Sequence, residues 1–253
     1  MAKTLWAVSD LHVTFPENRA RVDGLAGPGD WLIVAGDVAE KISPVVETLA
    51  GLISRFERVI WVPGNHELFN RRSEKLTGKA RYRALVGELR AIGVDTPEDP
   101  YPVFDGVTVC PLFTLYDYSF ARPGLTPDNA RFKLDDTLAI APYVDIPAWC
   151  AERLDYTRAR LDEVRGPTVL INHWPLVIEP VAGRDVALWS GTTATRDWAV
   201  KYRARAVIHG HLHTPGERLV DGRRHLDVSL GYPFEHHPAS RPWPFPVLGG
   251  AAG

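Results

Sequence analysis

Eight side chains able to donate oxygen or imidazole nitrogen recur in order along this chain: Asp10 and His12, Asp37, Asn65 and His66, His173, and His211 with His213. Each stands where a short apolar run gives way to a polar turn. Mixed carboxylate and imidazole donors suit zinc or a transition ion, and no cysteine pair is spaced for a structural zinc knuckle. Asp10 and His12 can converge once the chain bends, and residues two apart on a strand share a face, so His211 and His213 can point into one pocket. The set as a whole implies a catalytic metal centre more strongly than any one of its pieces. Spacing leaves open which imidazole nitrogens bind, and whether both members of each pair do.

The apolar runs are the elements that must position these groups. Leu5 to Val8 leads into Ser9-Asp10-Leu11-His12, Trp31 to Ala35 into Gly36-Asp37, and Val59 to Val62 into Pro63-Gly64-Asn65-His66-Glu67. Thr168 to Ile171 delivers Asn172-His173, and Ala206 to Ile208 delivers His209-Gly210-His211-Leu212-His213. These read as strands presenting loops from a rigid sheet edge. Between the second and third runs, Val45, Leu49, Leu52 and Phe56 follow helical spacing behind Ser43-Pro44. Tyr82, Leu85, Leu89 and Ile92 predict a second helix, stopped by Gly93, and Cys150, Leu154, Leu161 and Val164 a third, ending near Gly166-Pro167. Asp221-Gly222 marks a hairpin between Arg218–Val220 and His225–Val228. Strand-helix alternation followed by hairpins predicts a layered α/β or α+β sandwich with mixed sheets rather than a helical bundle.

A chain of 253 residues with 45% hydrophobic and 24% charged residues can build a sizeable core. The expected organisation is one domain over residues 1–237, with an irregular excursion at 112–147 on the substrate side and a Pro/Gly-rich extension at 238–253. A net charge of −2 argues against a global nucleic-acid clamp or attraction to an anionic membrane. No apolar run spans a bilayer and no cleavable leader opens the chain, so a cytoplasmic protein is expected. Cys110 and Cys150 read as reduced, packed thiols.

Asp10-Leu11-His12, Gly36-Asp37, Gly64-Asn65-His66-Glu67, the isolated His173 and Gly210-His211-Leu212-His213 together resemble the ordered blocks of the calcineurin-like metallophosphoesterase family, over residues 10 to 213. The resemblance implies two facing mixed β-sheets flanked by helices, with a dinuclear centre at the sheet edge. One metal would be bound by Asp10, His12, Asp37 and His213, the other by Asp37, Asn65, His173 and His211, with Asp37 and a water or hydroxide bridging. His66 would face the substrate as the catalytic imidazole. Two cations about 3.5–4 Å apart can hold such a hydroxide and stabilise phosphate oxygens during in-line displacement. The nucleophile would then come from solvent, not from Ser9 or a cysteine, and His66 could protonate the departing oxygen.

Glu40 lies three residues beyond Asp37, where the phosphoprotein phosphatases that this sequence resembles carry an Asp supporting the catalytic His. It could orient His66 and raise its basicity, or be an ordinary helix-entry acid facing solvent. His209 reads as buried support, His225 as a residue of an outer strand, and His236-His237 as a surface pair. Tyr116, Tyr118, Phe120 and Trp174 could wall the substrate or simply pack. Arg122, Arg131, Arg184 and Arg196 could bind further phosphate oxygens or solvate a surface.

The expected activity is dinuclear, metal-dependent hydrolysis of a small phosphomonoester by a metal-bridging hydroxide. The alternatives are a phosphodiesterase or nuclease, and a catalytically inactive metal-binding interaction domain. Two divalent ions are expected, manganese first, with iron or zinc also suited to the donors. The expected partner is a small phosphate ester rather than nucleic acid, with no membrane.

Overall fold

A computed structural model of the chain describes residues 3–70, 75–130, 134–236 and 242–249. In chain order it lays down strand β1 (Thr4–Val8), helix α1 (Pro16–Asp23), β2 (Gly27–Val34), α2 (Ile42–Ile53), β3 (Phe56–Trp61), the single turn α3 (Asn65–Leu68) and α4 (Gly78–Ala91). There follow β4 (Val103–Phe104), β5 (Val107–Pro111), the short α5 (Asp136–Ala139), the long α6 (Ile146–Glu163) and β6 (Thr168–Ile171). Helix α7 (Trp198–Lys201), β7 (Ala204–His209), the hairpin of β8 (Gly216–Val220) and β9 (Arg223–Asp227), and β10 (Phe245–Gly249) complete the described residues.

The strands form a four-stranded sheet, ordered β10-β1-β2-β3, and a six-stranded sheet, ordered β4-β5-β6-β7-β9-β8. Both are mixed: β1, β2 and β3 run parallel, as do β5, β6, β7 and β9, while β10, β4 and β8 pair antiparallel at the edges. The β8–β9 turn has left-handed backbone at both Asp221 (φ 49) and Gly222 (φ 69), the geometry that lets a two-residue hairpin follow the strand twist.

Alternation along each strand explains why the apolar runs are nearly continuous. Leu5, Ala7, Ile33 and Ile60 face the other sheet and pack with Val109, Val169, Ile171 and Ile208 in one apolar layer. Leu32, Val34 and Val59 face the opposite way, against Val45, Leu49 and Leu52 of α2. Strands buried on both faces cannot carry a polar side. The predicted two facing sheets flanked by helices are therefore present.

The excursion at 112–147 is less irregular than its prolines suggest. Leu112, Phe113, Leu115 and Tyr116 are buried in the main core, Phe120 is buried in a smaller cluster with Val181, Ala187 and Leu212, and α6 begins at Ile146 rather than near Cys150. Its start is set by Asp145, whose carboxylate accepts a hydrogen bond from the Ala148 amide, with Pro147 in the first turn. Within the proline-rich extension, β10 pairs with β1; residues 237–241 and 250–253 lie outside the described part. Cys110 and Cys150 are both buried and unpaired, and no helix among the described residues is long and apolar enough to cross a membrane.

Candidate metal centre

All eight candidate donors leave the C-terminal ends of parallel strands. Asp10 and His12 follow β1, Asp37 follows β2, Asn65 and His66 follow β3, His173 follows β6, and His211 and His213 follow β7. Ligand sites concentrate at this end of such sheets because the loops diverge there. Backbone hydrogen bonds then draw the loops of the two sheets together. Ser9 donates to the Val228 carbonyl (3.1 Å) and Leu230 to the Ser9 carbonyl (2.8 Å), while Asp10 donates to Gly36 (3.0 Å) and His12 to Asp37 (3.0 Å).

The donors form two groups that meet at Asp37. On one side His12 Nε2 lies 3.2 Å from His213 Nε2, which is 3.1 Å from Asp10 Oδ1. On the other, Asn65 Oδ1 lies 3.2 Å from His173 Nε2 and 3.1 Å from His211 Nδ1, and His173 Nε2 is 3.4 Å from Asp37 Oδ2. Three overlapping triads, Asp10/His12/His213, His12/Asp37/His66 and Asp10/Asp37/His173, each bring their ligand atoms within 4.8 Å of one another. His66 Nε2 is farther from Asp37 Oδ2, at 3.8 Å, and its Nδ1 lies 3.3 Å from the Glu40 carboxylate. Glu40 thus stands beside His66 rather than projecting away from it.

Holding these side chains inward demands unusual backbone. Asp10, His12, Asp37, His211 and His213 all have positive φ, between 41° and 70°. Each costs on the order of 1 kcal/mol and persists only where the surroundings enforce it. Two glycines make the close approach possible. A Cβ at Gly64 would sit 2.1 Å from Asp37 Oδ1, and one at Gly210 would sit 2.2 Å from Asp10 Oδ2. A side chain is excluded at Gly64 by the Asp37 carboxylate, and at Gly210 by the Ser9 hydroxyl, 2.0 Å away, together with the Asp10 carboxylate.

Electrostatics follow from two buried carboxylates side by side. Burial alone would raise Asp10 and Asp37, but the imidazoles around them, His213 for Asp10 and His173 for Asp37, hold both below the usual carboxylate range. In return, and against burial, Asp37 lifts His173 to about 9, and Asp10 lifts His213 to about 11. Burial instead lowers His12 to about 4 and His211 to about 3. His66 moves upward, because Asp37 and Glu40 outweigh its desolvation. The pocket therefore demands positive charge.

These residues fit divalent cations. His173 Nδ1 faces the Ala35 carbonyl at 2.8 Å, so that nitrogen keeps a proton and Nε2 is the one left toward Asp37 and Asn65, where a cation would take the place of its second proton. His211 Nδ1 faces the same Asn65 oxygen at 3.1 Å, so two imidazole nitrogens, an amide oxygen and the Asp37 carboxylate converge, a mixed donor set of the kind divalent transition ions and zinc take.

Three supporting carboxylates escaped the linear reading. Glu235 accepts from His213 Nδ1 at 2.8 Å, a carboxylate–histidine pair that fixes the ring. Asp136, inside the excursion, accepts from Asn65 Nδ2 at 3.0 Å and from the Tyr116 hydroxyl at 2.8 Å. Glu67 was visible in the Gly64-Asn65-His66-Glu67 block, but its task was not: it accepts from the amides of Asp37 (2.9 Å), Val38 (2.7 Å) and Gly64 (2.9 Å). Glu235 and Asp136 carry no local signal, being 22 and 71 residues from the side chains they hold.

Other expectations resolve differently. Tyr116, Phe120 and Trp174 are fully buried and pack, so they cannot form an open substrate wall. The rings that do surround the mouth are Tyr232, stacked on His12 at 4.4 Å, and Phe15 and Phe234, which contact Tyr232 at 5.8 and 5.1 Å. Arg196 is held by Asp221 and Glu179, and Arg122 by Asp185; Arg131 and His237 lie outside the described residues. His209 is buried as expected. His225 is also buried, at 1% exposure, because β8 rather than β9 forms the sheet edge.

Comparison with known proteins agrees with this geometry. The family model described as calcineurin-like phosphoesterase matches residues 3–215. The [acyl-carrier-protein] phosphodiesterase PptH of Mycobacterium tuberculosis is 42% identical over 260 residues, covering 92% of this chain and 79% of that protein. The crystal structure of the phosphopantetheinyl hydrolase PptH from Mycobacterium tuberculosis superposes with a TM-score of 0.91 at 40% identity, covering 98% of this chain and 97% of that one.

Proposed function

This chain belongs to the calcineurin-like phosphoesterase family and is a metal-dependent phosphoesterase; on that premise we propose that it cleaves the phosphodiester joining a phosphopantetheinyl group to an acyl carrier protein. The observation that carries the substrate class is the likeness to PptH along nearly the full length of both chains. It favours the diester alternative over the small phosphomonoester expected first, and a protein-borne ester over a free metabolite. Membership of an enzyme family, with a close relative named as a phosphodiesterase, likewise speaks against an inactive metal-binding domain.

Asp10, His12, Asp37 and His213 would hold one cation, and Asp37, Asn65, His173 and His211 the other. Bound there, two divalent ions lower the proton affinity of water and offset charge developing on phosphorus. Asp37, which lies between the two groups of donors, would serve both. His66 stands at the rim of the set, with Glu40 fixing its Nδ1 side and Nε2 turned toward Asp37. From there it can give a proton to the departing ester oxygen. A new P–O bond from water forms, one P–O ester bond breaks, and the released alcohol takes the proton. Glu235, Asp136 and Glu67 hold His213, Asn65 and the Asp37 loop in place.

The test is to incubate manganese-loaded enzyme with a phosphopantetheinylated acyl carrier protein and measure intact protein mass. Loss of the phosphopantetheinyl group is expected. An unchanged carrier protein, in a preparation that readily hydrolyses simple phosphomonoesters, would refute the diester reading.

A further inference from the structure

We infer that Phe15, Tyr232 and Phe234 form a binding subsite for the neutral, amide-bearing arm of the substrate; the identity of that arm rests on the diester reading above. The three rings form a continuous ladder out of the metal centre. Tyr232 stacks on His12 with centroids 4.4 Å apart and planes inclined by 25°, and Phe234 stacks on Tyr232 at 5.1 Å and 16°. Phe15 meets both edge-on, at 5.8 and 6.3 Å. The inner end also reaches the proposed catalytic imidazole, with the Tyr232 hydroxyl 3.5 Å from His66 Nε2.

Mutual packing alone does not account for the outer end. Phe234 remains 68% exposed, although a ring of that size ordinarily buries most of its surface. Nor is it carried on a slack loop. Gly231 donates to the Asp10 carbonyl (3.2 Å), Asn18 Nδ2 donates to the Gly231 carbonyl (2.9 Å), and the Tyr232 amide donates to Glu235 (2.7 Å). Glu235 in turn donates its own amide to the Tyr232 carbonyl (3.0 Å) and turns its carboxylate inward to His213. The exposed ring is thus held in place by the same segment that supports the metal ligands.

Ring faces carry partial negative charge, so this surface disfavours an anion and favours C–H bonds and flat amide groups. A pantetheinyl arm offers both, without charge. Pre-positioned rings would bind it with little ordering cost. The phosphate would sit among the cations while the arm runs outward along Tyr232 and Phe234.

The assignment is tested with one short peptide bearing either a phosphopantetheinyl or a methylphosphoryl ester on the same residue, cleaved by the manganese-loaded enzyme. The wild type should prefer the longer ester in kcat/KM, and Phe234→Ala and Phe15→Ala should each reduce that preference by about tenfold, roughly the worth of one stacked ring. Phe234→Leu should fall between, since an apolar side chain remains. An undiminished preference in both alanine variants, or equal losses on both esters, overturns the subsite. A wild type that cleaves the methyl ester and not the phosphopantetheinyl ester instead overturns the substrate reading, and the arm assignment with it.

Discussion

The Glu235 carboxylate lies 2.8 Å from His213 Nδ1, while the other nitrogen of that ring lies 3.1 Å from Asp10 Oδ1. One side chain thereby links the segment after β9 to a candidate ligand that follows β7. A carboxylate in this position sets the ring's orientation and tautomer and strengthens it as a donor. Glu235→Gln should weaken metal binding by at least about tenfold, with turnover largely recovered at saturating metal. Competition against a chromogenic chelator reads the affinity, and an unchanged value would mean that the contact does not support a ligand.

Asp37 and His66 should separate cleanly. Asp37→Ala removes the carboxylate shared by both donor groups, so metal content and turnover should fall together. His66→Ala should keep both metals while lowering kcat/KM by about 10²- to 10⁴-fold, the usual worth of a positioned acid. Elemental analysis beside initial rates distinguishes the two, and loss of metal from the His66 variant would move that residue into the ligand set. A chelator should abolish wild-type turnover; restoration by manganese, iron and zinc in parallel would rank the metals.

Gly64→Ala is expected to be severe despite its size. The added methyl would lie 2.1 Å from Asp37 Oδ1, a contact that no rotamer of alanine relieves. Displacing Asp37 should cost activity and metal content more than thermal stability, because Gly64 sits at the loop edge outside the inter-sheet layer. Differential scanning calorimetry paired with metal analysis checks this; a variant that keeps both metals and full activity would show that the loop yields easily.

Away from the centre, Glu98 accepts from the Tyr82 hydroxyl at 2.5 Å and pairs with Arg153 at 2.8 Å. Burial would raise this carboxyl, but Arg153 and the tyrosine hydroxyl bring it below 4.5. The folded protein then binds fewer protons than the unfolded chain, so the stabilisation is complete above about pH 4.5 and is lost as pH falls through the folded value. Glu98→Gln should lower Tm at pH 7, and the gap to wild type should close on acidification. A gap that stays constant down to pH 3 would assign the loss to packing.

Much of the candidate site was legible because metal ligation would need a few residue types and strand ends deliver them at short, repeated spacings. Asp10 with His12, and His211 with His213, are readable as pairs for that reason. The pairing of His66 with Glu40 was half legible: the offset from Asp37 suggested it, but helix-entry acids occur at the same spacing. The aromatic surroundings were misjudged because hydrophobicity does not distinguish a ring that lines a mouth from one that fills a core. Tyr116 and Trp174 went inward and Phe234 outward, decided by which sheet face each loop covers.

Local chemistry in the chain was enough to determine the strand runs, the principal helices and the ordered donors, and the resemblance of those ordered blocks to the metallophosphoesterases supplied the reaction class. Which residues support those donors was decided only in three dimensions. Asp136 reaches Asn65 and Glu235 reaches His213 across long stretches of chain, and Gly64 and Gly210 are required by side chains arriving from other loops. Such contacts depend on how two sheets register at one edge, and a free energy that arises only when distant loops meet leaves no periodicity or spacing in the sequence to read.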